Sequence, residues 1–413
     1  MTMTMGPAAT APRGRPAARR LLAAGREADH GMHLSTFGAL TVPPGNTLLA
    51  ELESSGLTGR GGAGFATWRK MAAAANNRGS RRSRSPIVIG NGAEGEPLSW
   101  KDAVLLENAP HLVIDGLLTA AGAVGAGHCI LYVGAASLAA VENAIAQRND
   151  ARRIEVVQAA ESFVSGEASA VVNAIENDDP RPADRTLRLT DSGLRGRPTL
   201  VQNVETLAHV ALVARYGAHW FRSVGSPDDP GTRLVTVSGD VGRQGVFEVT
   251  TDTTLAEVVQ TTRTDPGSVA AALVGGYHGS WVPAVSFGAS LSPSGLASVG
   301  ARPGAGIVHV LARTRCGLAA TAEITDYLAG QSARQCGPCM FGLPTMASRL
   351  GDLAAGVSPA ANAAELMRLA DLVVGRGACH HPDGTVRLVR SALTAFAGDV
   401  AAHSRGHCTR QAR

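Results

Sequence analysis

Between residues 36 and 230 short β-branched runs alternate with Ala-rich stretches of helical period. Pro86-Ile87-Val88-Ile89 ends at a Gly-Asn turn. Ile130-Leu131-Tyr132-Val133 leads into a helical pattern over Ser137–Arg148, and Arg153-Ile154-Glu155-Val156-Val157 leads into another Gly-containing turn. Apolar β-formers bounded by turn residues predict buried strands, and their alternation with helices predicts an α/β domain with a mostly parallel sheet. The long apolar stretch from His111 to Val141 is broken by Asp115, His128 and several glycines, and reads as a helix and a strand rather than a membrane span. From 231 to 313 the texture changes. Leu234–Gly239 and Gly245–Val249 read as a hairpin, followed by a short helix over Thr254–Thr261 and further Gly-rich strands, a small β-rich unit of its own. From 314 to 413 the pattern is helical and Ala/Leu-rich and predicts an all-α region. Residues 1–35, rich in Ala, Pro and Arg without a period, predict a flexible tail.

Length and composition fit this division. A chain of 413 residues with 45% hydrophobic and 17% charged side chains is globular and long enough for two or three domains. The net charge of +4 is modest, and the Arg-rich stretches Arg13–Arg26 and Arg78–Arg84 have no interleaved aromatics, so no nucleic-acid partner is expected. Only Lys70 and Lys101 are lysines, and both fall in the segments of greatest chemical interest. Six cysteines in so long a chain are not a disulfide scaffold. Arg19-Arg20 is followed by no apolar signal core, so a cytoplasmic protein is expected.

Four segments carry candidate binding chemistry. Gly59-Arg60-Gly61-Gly62-Ala63-Gly64-Phe65, with Lys70 beyond it, exposes backbone N–H groups ahead of a helix, a setting that cradles phosphate or forms a plain tight turn. Asn91-Gly92-Ala93-Glu94-Gly95-Glu96-Pro97, then Lys101-Asp102, follows a buried strand and offers amide and carboxylates to a heterocycle, or is a solvated acidic turn. Ser165-Gly166-Glu167 and Val201-Gln202-Asn203-Val204-Glu205-Thr206 complete the set.

In this order and spacing the four segments resemble the NADH-binding flavoprotein subunit of respiratory complex I and its hydrogenase and formate-dehydrogenase relatives. The resemblance implies a Rossmann-like flavin domain with a parallel sheet over 36–230. It further implies a ubiquitin-like, β-grasp (soluble-ligand-binding) domain over 231–313 and a C-terminal all-α iron–sulfur domain over 314–413. It implies FMN held by Gly59, Arg60, Gly61, Gly62, Gly64, Lys70, Asn91, Glu94, Gly95, Glu96, Gly166, Glu167, Gln202, Asn203 and Thr206, with Phe65 stacking on a nicotinamide. The implied activity is that of an NADH dehydrogenase-like oxidoreductase, electrons passing from NAD(P)H or a reduced protein through FMN to an iron–sulfur cluster.

Cys336-Gly337-Pro338-Cys339, with Cys379 forty residues on, suits a redox dithiol, zinc or an iron–sulfur cluster. By resemblance these three thiols ligate a 4Fe–4S or 3Fe–4S cluster. Ala333 stands where the family has its first cysteine, and Cys408, His380, His381 and His407 are candidate replacements. Cys129 and Cys316, in apolar runs, read as small buried hydrophobes.

Other departures gather on the nicotinamide side: Ala93 for an aspartate, Ala168 for a glutamate, and Met71-Ala72-Ala73 and Leu194–Pro198 without the family's aromatics. Losing one stacking ring, at ~1 kcal/mol, and one or two charged hydrogen bonds, at ~1.5–3 kcal/mol each, removes roughly 3–6 kcal/mol of dinucleotide affinity, about a hundred-fold or more. A thioredoxin-like or ferredoxin-type iron–sulfur protein then becomes an expected partner, with a membrane-bound reductase complex beyond it. A non-catalytic docking subunit is the competing expectation.

Overall fold

The computed structural model describes residues 19–76, 85–183 and 187–408. The Arg78–Arg84 stretch and the first eighteen residues lie outside them. The described chain forms two compact units, one of residues 19–235 and 246–253, the other of 236–245 and 254–408.

The first unit is built on four parallel strands, β1 (Ile87–Gly92), β2 (His128–Val133), β3 (Ile154–Gln158) and β4 (Thr199–Asn203), in the order β3-β2-β1-β4. Side chains alternate across it. Val88 joins the larger core, while Ile87 and Ile89 join a second core with Ile130, Tyr132, Val171, Val172 and Val201 on the opposite face. Helices α1 (His30–Phe37), α2 (Gly45–Ser55), α3 (Thr67–Asn76), α4 (Lys101–Asn108), α5 (Pro110–Val124), α6 (Leu138–Ala146), α7 (Ala168–Asn177) and α8 (Val204–Phe221) surround the sheet. The apolar α5 is buried almost throughout. Its Gly116 lies so near the Leu207 carbonyl of α8 that a Cβ there would overlap it, which is why glycine stands mid-helix. Asp115, the charge interrupting that apolar stretch, is buried against Arg148 (2.6 Å), His33 (2.8 Å) and Arg215.

Residues 19–35, expected as part of a flexible tail, are instead held in the fold. The backbone N–H groups of Arg20, Leu21 and Leu22 donate to the Glu248 carboxylate, Leu21 is fully buried, and Asp29 caps α1. A buried carboxylate that collects three backbone donors orders a segment whose composition gives no periodic signal.

A five-stranded sheet follows: β7 (Thr232–Gly239), β8 (Gly245–Thr250), β9 (Val269–Val274), β10 (Ser280–Pro283) and β11 (Ile307–Ala312), in the order β10-β9-β11-β7-β8. A two-stranded pair, β5 (Gly225–Ser226) with β6 (Asp229–Pro230), precedes it. Strand β11 runs parallel to β7 and antiparallel to β9. Helix α9 (Leu255–Thr261) starts at a capping box in which Thr254 and Glu257 satisfy each other's backbone N–H, the short helix expected there. The second unit ends, after α10 (Pro293–Ala297), in five helices: α11 (Gly317–Gly330), α12 (Leu343–Ala354), α13 (Pro359–Val373), α14 (His381–Ala395) and α15 (Ala397–His403). Among the described residues no helix is long and apolar enough to cross a membrane.

Candidate functional site

In the first sheet the chain leaves β1 toward β2 on one side, while β4 lies on the other. The β1/β4 boundary is therefore the switch point, where open parallel sheets hold ligands beyond their carboxyl ends. All four glycine- and amide-bearing segments meet there. Asn91 and Asn203 are register partners at the two strand ends, and the Asn203 Nδ2 donates to the Asn91 carbonyl at 3.4 Å. Asn91 Nδ2 donates to the Gly166 carbonyl at 3.1 Å, which ties in the turn before α7. Gly61 lies against Asn203, where a Cβ would come within 3.1 Å of that side chain. The Arg60 N–H donates to Thr206 Oγ1 at 2.8 Å.

The Gly59–Phe65 loop closes on itself through the Gly59 N–H and the Phe65 carbonyl (2.9 Å), and its tip from Gly61 to Phe65 is exposed. Gly62 and Gly64 take φ of 110° and 62°, values that favour glycine. Lys70, on the first turn of α3, donates to the Val201 carbonyl at 2.6 Å. Burial lowers its ammonium below the ordinary lysine value, against the pull of Glu167.

Several residues expected to hold a ligand are also occupied by the protein. The buried Arg60 guanidinium pairs with Asp229 (2.7 Å) and donates to the Pro230 carbonyl and to Thr58 Oγ1 (3.4 Å), while its backbone N–H holds Thr206. Glu94 accepts the Asp102 and Ala103 N–H groups, capping α4, and the Ser99 hydroxyl. Glu167 caps α7 through the Ser169 N–H and hydroxyl. Gly95 is glycine for packing: a Cβ would lie 2.5 Å from the Phe163 carbonyl oxygen and as close to that of Ser162.

A buried ion triad beneath this shelf has no short-range signature. Lys101 Nζ pairs with Asp102 and with Glu205, each at 2.8 Å. The second Asp102 oxygen takes the Asn203 Nδ2 at 2.6 Å, and the second Glu205 oxygen takes the Leu234 N–H. Burial, and the neighbouring Glu94 and Glu205, hold the Asp102 carboxyl above its usual range although Lys101 opposes them. The adjacency of Lys101 and Asp102 was the one visible hint.

FMN fits these residues. The Gln202 amide nitrogen is buried with no hydrogen-bond partner among the described residues, a polar atom of the kind that a bound ligand satisfies. Beside it stand an open glycine loop, a lysine and two strand-end asparagines.

In the helical unit the Cys336 sulfur accepts the N–H groups of Ala378 and Cys339, which brings Cys379 beside the Cys336–Cys339 pair. Burial raises the Cys336 thiol, and these hydrogen bonds outweigh it and leave it below its ordinary value. Burial and the neighbouring Cys336 and Cys379 push Cys339 up to about 12. Three thiols brought together suit a cluster, and Ala333 offers no fourth. Of the candidate replacements, His380 is fully exposed and His381 has both ring nitrogens engaged, with His278 (3.0 Å) and the Leu328 carbonyl (2.9 Å). Cys129 is buried as expected. Cys316 is not a buried hydrophobe: it is half-buried and faces His403 at 3.7 Å.

Residues 52–212 match the Nuo51 FMN-binding domain, and residues 319–403 match the NADH-ubiquinone oxidoreductase-F iron-sulfur binding region. The F subunit of NADH-quinone oxidoreductase in Mycobacterium tuberculosis (strain ATCC 25618 / H37Rv) is 29% identical over 393 residues, covering 89% of this chain and 86% of that one. The F 2 subunit of NADH-quinone oxidoreductase in Rhizobium meliloti (strain 1021) is 28% identical over 371 residues, 85% and 87% of the two chains. The crystal structure of NAD+-reducing [NiFe]-hydrogenase in the H2-reduced state superposes with a TM-score of 0.79 at 30% identity, over 88% of this chain and 63% of that one, so the chain spans less than two thirds of the hydrogenase chain. The two matched regions together take up more than half of the sequence. Over most of its length the chain is similar to the flavoprotein F subunits of NADH-quinone oxidoreductases, and with an FMN-binding and an iron–sulfur-binding region it is an oxidoreductase subunit that moves electrons through FMN to an iron–sulfur cluster.

Proposed function

We propose that the crevice at the β1/β4 switch point holds FMN and has lost much of its hold on NADH, so that a reduced ferredoxin-type or thioredoxin-like iron–sulfur protein supplies most of the electrons. The unpartnered buried amide of Gln202 carries the flavin half of this reading. The backbone of Gly59, Gly61, Gly62 and Gly64 would face the phosphate with Lys70. Asn91, Gln202 and Asn203 would meet the ring system, Gly166 would let the third turn approach, and Thr206 would brace the loop. Bound FMN supplies the step between two-electron and one-electron chemistry. Cys336, Cys339 and Cys379 would hold the cluster that receives the electrons.

The nicotinamide half is supported less well. Phe65 is free to stack, being 55% exposed. Glu94 and Glu167, the carboxylates remaining beside Ala93 and Ala168, already accept protein donors as helix caps. On this reading residues 36–230 are the flavin domain, 231–313 a ubiquitin-like β-grasp domain and 314–413 the iron–sulfur domain. The parallel pairing of β7 with β11, and α9 between β8 and β9, support the β-grasp assignment. The protein would work in the cytoplasm as one subunit of a larger redox assembly that includes a membrane-bound reductase.

Anaerobically purified protein should contain FMN, iron and sulfide, and its flavin should be reduced faster by a reduced ferredoxin than by NADH. Protein that holds neither flavin nor iron, and takes up neither when offered, would overturn the proposal. It would favour a docking role for the retained fold.

A further inference from the structure

Among the described residues one trio of His, Cys, Asp or Glu side chains brings its ligand atoms within 4.8 Å of one another: Cys316, His403 and Cys408. The three belong to the helical unit but stand at or beyond the ends of its iron–sulfur binding region, which spans 319–403. Cys316 caps α11, His403 ends α15, and Cys408 lies beyond it.

We propose that this trio is a second metal site, which takes a soft, tetrahedral divalent cation such as Zn2+ and is separate from the Cys336–Cys339–Cys379 cluster. The donor set is two thiolates and one imidazole, the mixture that suits zinc, with a fourth position left for water or another ligand. The spacing agrees. Zn–S bonds of about 2.3 Å and Zn–N bonds of about 2.0 Å at tetrahedral angles put sulfur and nitrogen about 3.5 Å apart, and the Cys316 Sγ to His403 Nε2 distance is 3.7 Å.

The imidazole is prepared for the role. His403 is buried, and its Nδ1 lies 3.2 Å from the Leu353 carbonyl. A carbonyl can only accept, so Nδ1 carries the hydrogen and Nε2 presents its lone pair to Cys316. This is the outer-shell arrangement that fixes the tautomer of a metal-ligating histidine. Cys316 occupies the N-cap position of α11 with no side-chain capping hydrogen bond, and the Ala319 and Leu318 N–H groups near its sulfur favour a thiolate. Burial and the nearby Cys408 oppose them and leave the thiol above its ordinary value. Metal uptake therefore displaces protons, and affinity should fall as pH is lowered. A cation here would tie the start of α11 to the segment after α15, closing the helical region on itself.

Metal analysis of the anaerobically purified chain, after chelation and return of Zn2+, tests the site without reference to turnover. Zinc should return at about one per chain, and Co2+ in its place should give thiolate-to-cobalt absorption. Cys316→Ser and Cys408→Ser should each weaken zinc binding at least about 100-fold, a ligand counting for no less than its outer-shell partner, with iron content unchanged. His403→Gln, which keeps a buried polar side chain, should weaken it as well. Three results would overturn the proposal: no stoichiometric zinc at micromolar concentration, a Cys316–Cys408 disulfide in the native protein, or loss of iron in Cys408→Ser. The last would make Cys408 a ligand of the cluster.

Discussion

Asp102 and Asn203 stand 101 residues apart in the chain, and the Asn203 Nδ2 donates to the Asp102 Oδ2 at 2.6 Å. That bond ties one wall of the proposed flavin crevice to a charge network rather than to a backbone turn. Lys101 pairs with both Asp102 and Glu205, all three buried. Removing one member of a buried ion group leaves the rest uncompensated, at about 3–5 kcal/mol. Lys101→Met should therefore lower the unfolding free energy by about that amount in urea titrations and release flavin at moderate temperature. A loss below about 1 kcal/mol, the worth of an exposed pair, would mean that the triad does not hold Asn203.

Lys70 makes a different contribution. Its ammonium is held on the Val201 carbonyl in the middle of β4, and burial has lowered its affinity for a proton, so an anion nearby would gain strongly from it. If Lys70 faces the FMN phosphate as proposed, Lys70→Ala removes one charged hydrogen bond, about 1.5–3 kcal/mol, or roughly a ten- to hundred-fold loss of FMN affinity. Fluorescence titration of the apoprotein measures it, and unchanged affinity would remove Lys70 from the site.

The strand–helix alternation and the four turn motifs were readable because each is local. Val88, Ile89 and Ile130 declare buried strands within a few residues, and glycine runs declare turns. The elements that set the site were unreadable for the opposite reason. Lys101 meets Glu205 across 104 residues, and Arg60 meets Asp229 across 169, so no period links them. The acidic turn reads from sequence as ligand chemistry or a solvated turn, yet Glu94 is also a helix cap, and only the position of α4 reveals that. In the same way Cys316 looked apolar from its neighbours, and its partner His403 comes from the far end of the helical region.

Gly95 tests how tightly the second turn must pack. A Cβ there would meet the Ser162 and Phe163 carbonyl oxygens, which are backbone and cannot swing aside. Gly95→Ala should push the 93–97 turn off the 162–163 segment at about 1–3 kcal/mol. The Asn91–Gly166 contact would be disturbed with it, so thermal stability and FMN retention should fall together. Full retention of both would show that the two turns have slack.

Cys336→Ser should bleach the iron–sulfur absorbance and leave the flavin bound. Cys336 belongs to the helical unit, whereas every flavin candidate from Gly59 to Thr206 belongs to the other. Absorbance spectra and flavin release on acid precipitation would read the two cofactors separately. Their joint loss would contradict the division of cofactors between units.

His209 gives the fold an acid limit. It lies fully buried on α8, with Phe221 edge-on at 5.5 Å, and neither ring nitrogen has a hydrogen-bond partner among the described residues. Burial, then the positive charge of Arg60, lowers its pKa to about 3, while the unfolded chain titrates near 6.5. The unfolded state thus binds the proton more readily. The stabilising effect of a neutral His209 is complete above pH 6.5 and is lost as the pH falls toward 3. The slope is about 1.4 kcal/mol per pH unit for this one group. His209→Leu, which fills similar space without a titrating ring, should flatten the stability profile between pH 6 and 4 by about that slope. Parallel profiles for the two proteins would mean that His209 already finds a partner for its proton inside the fold.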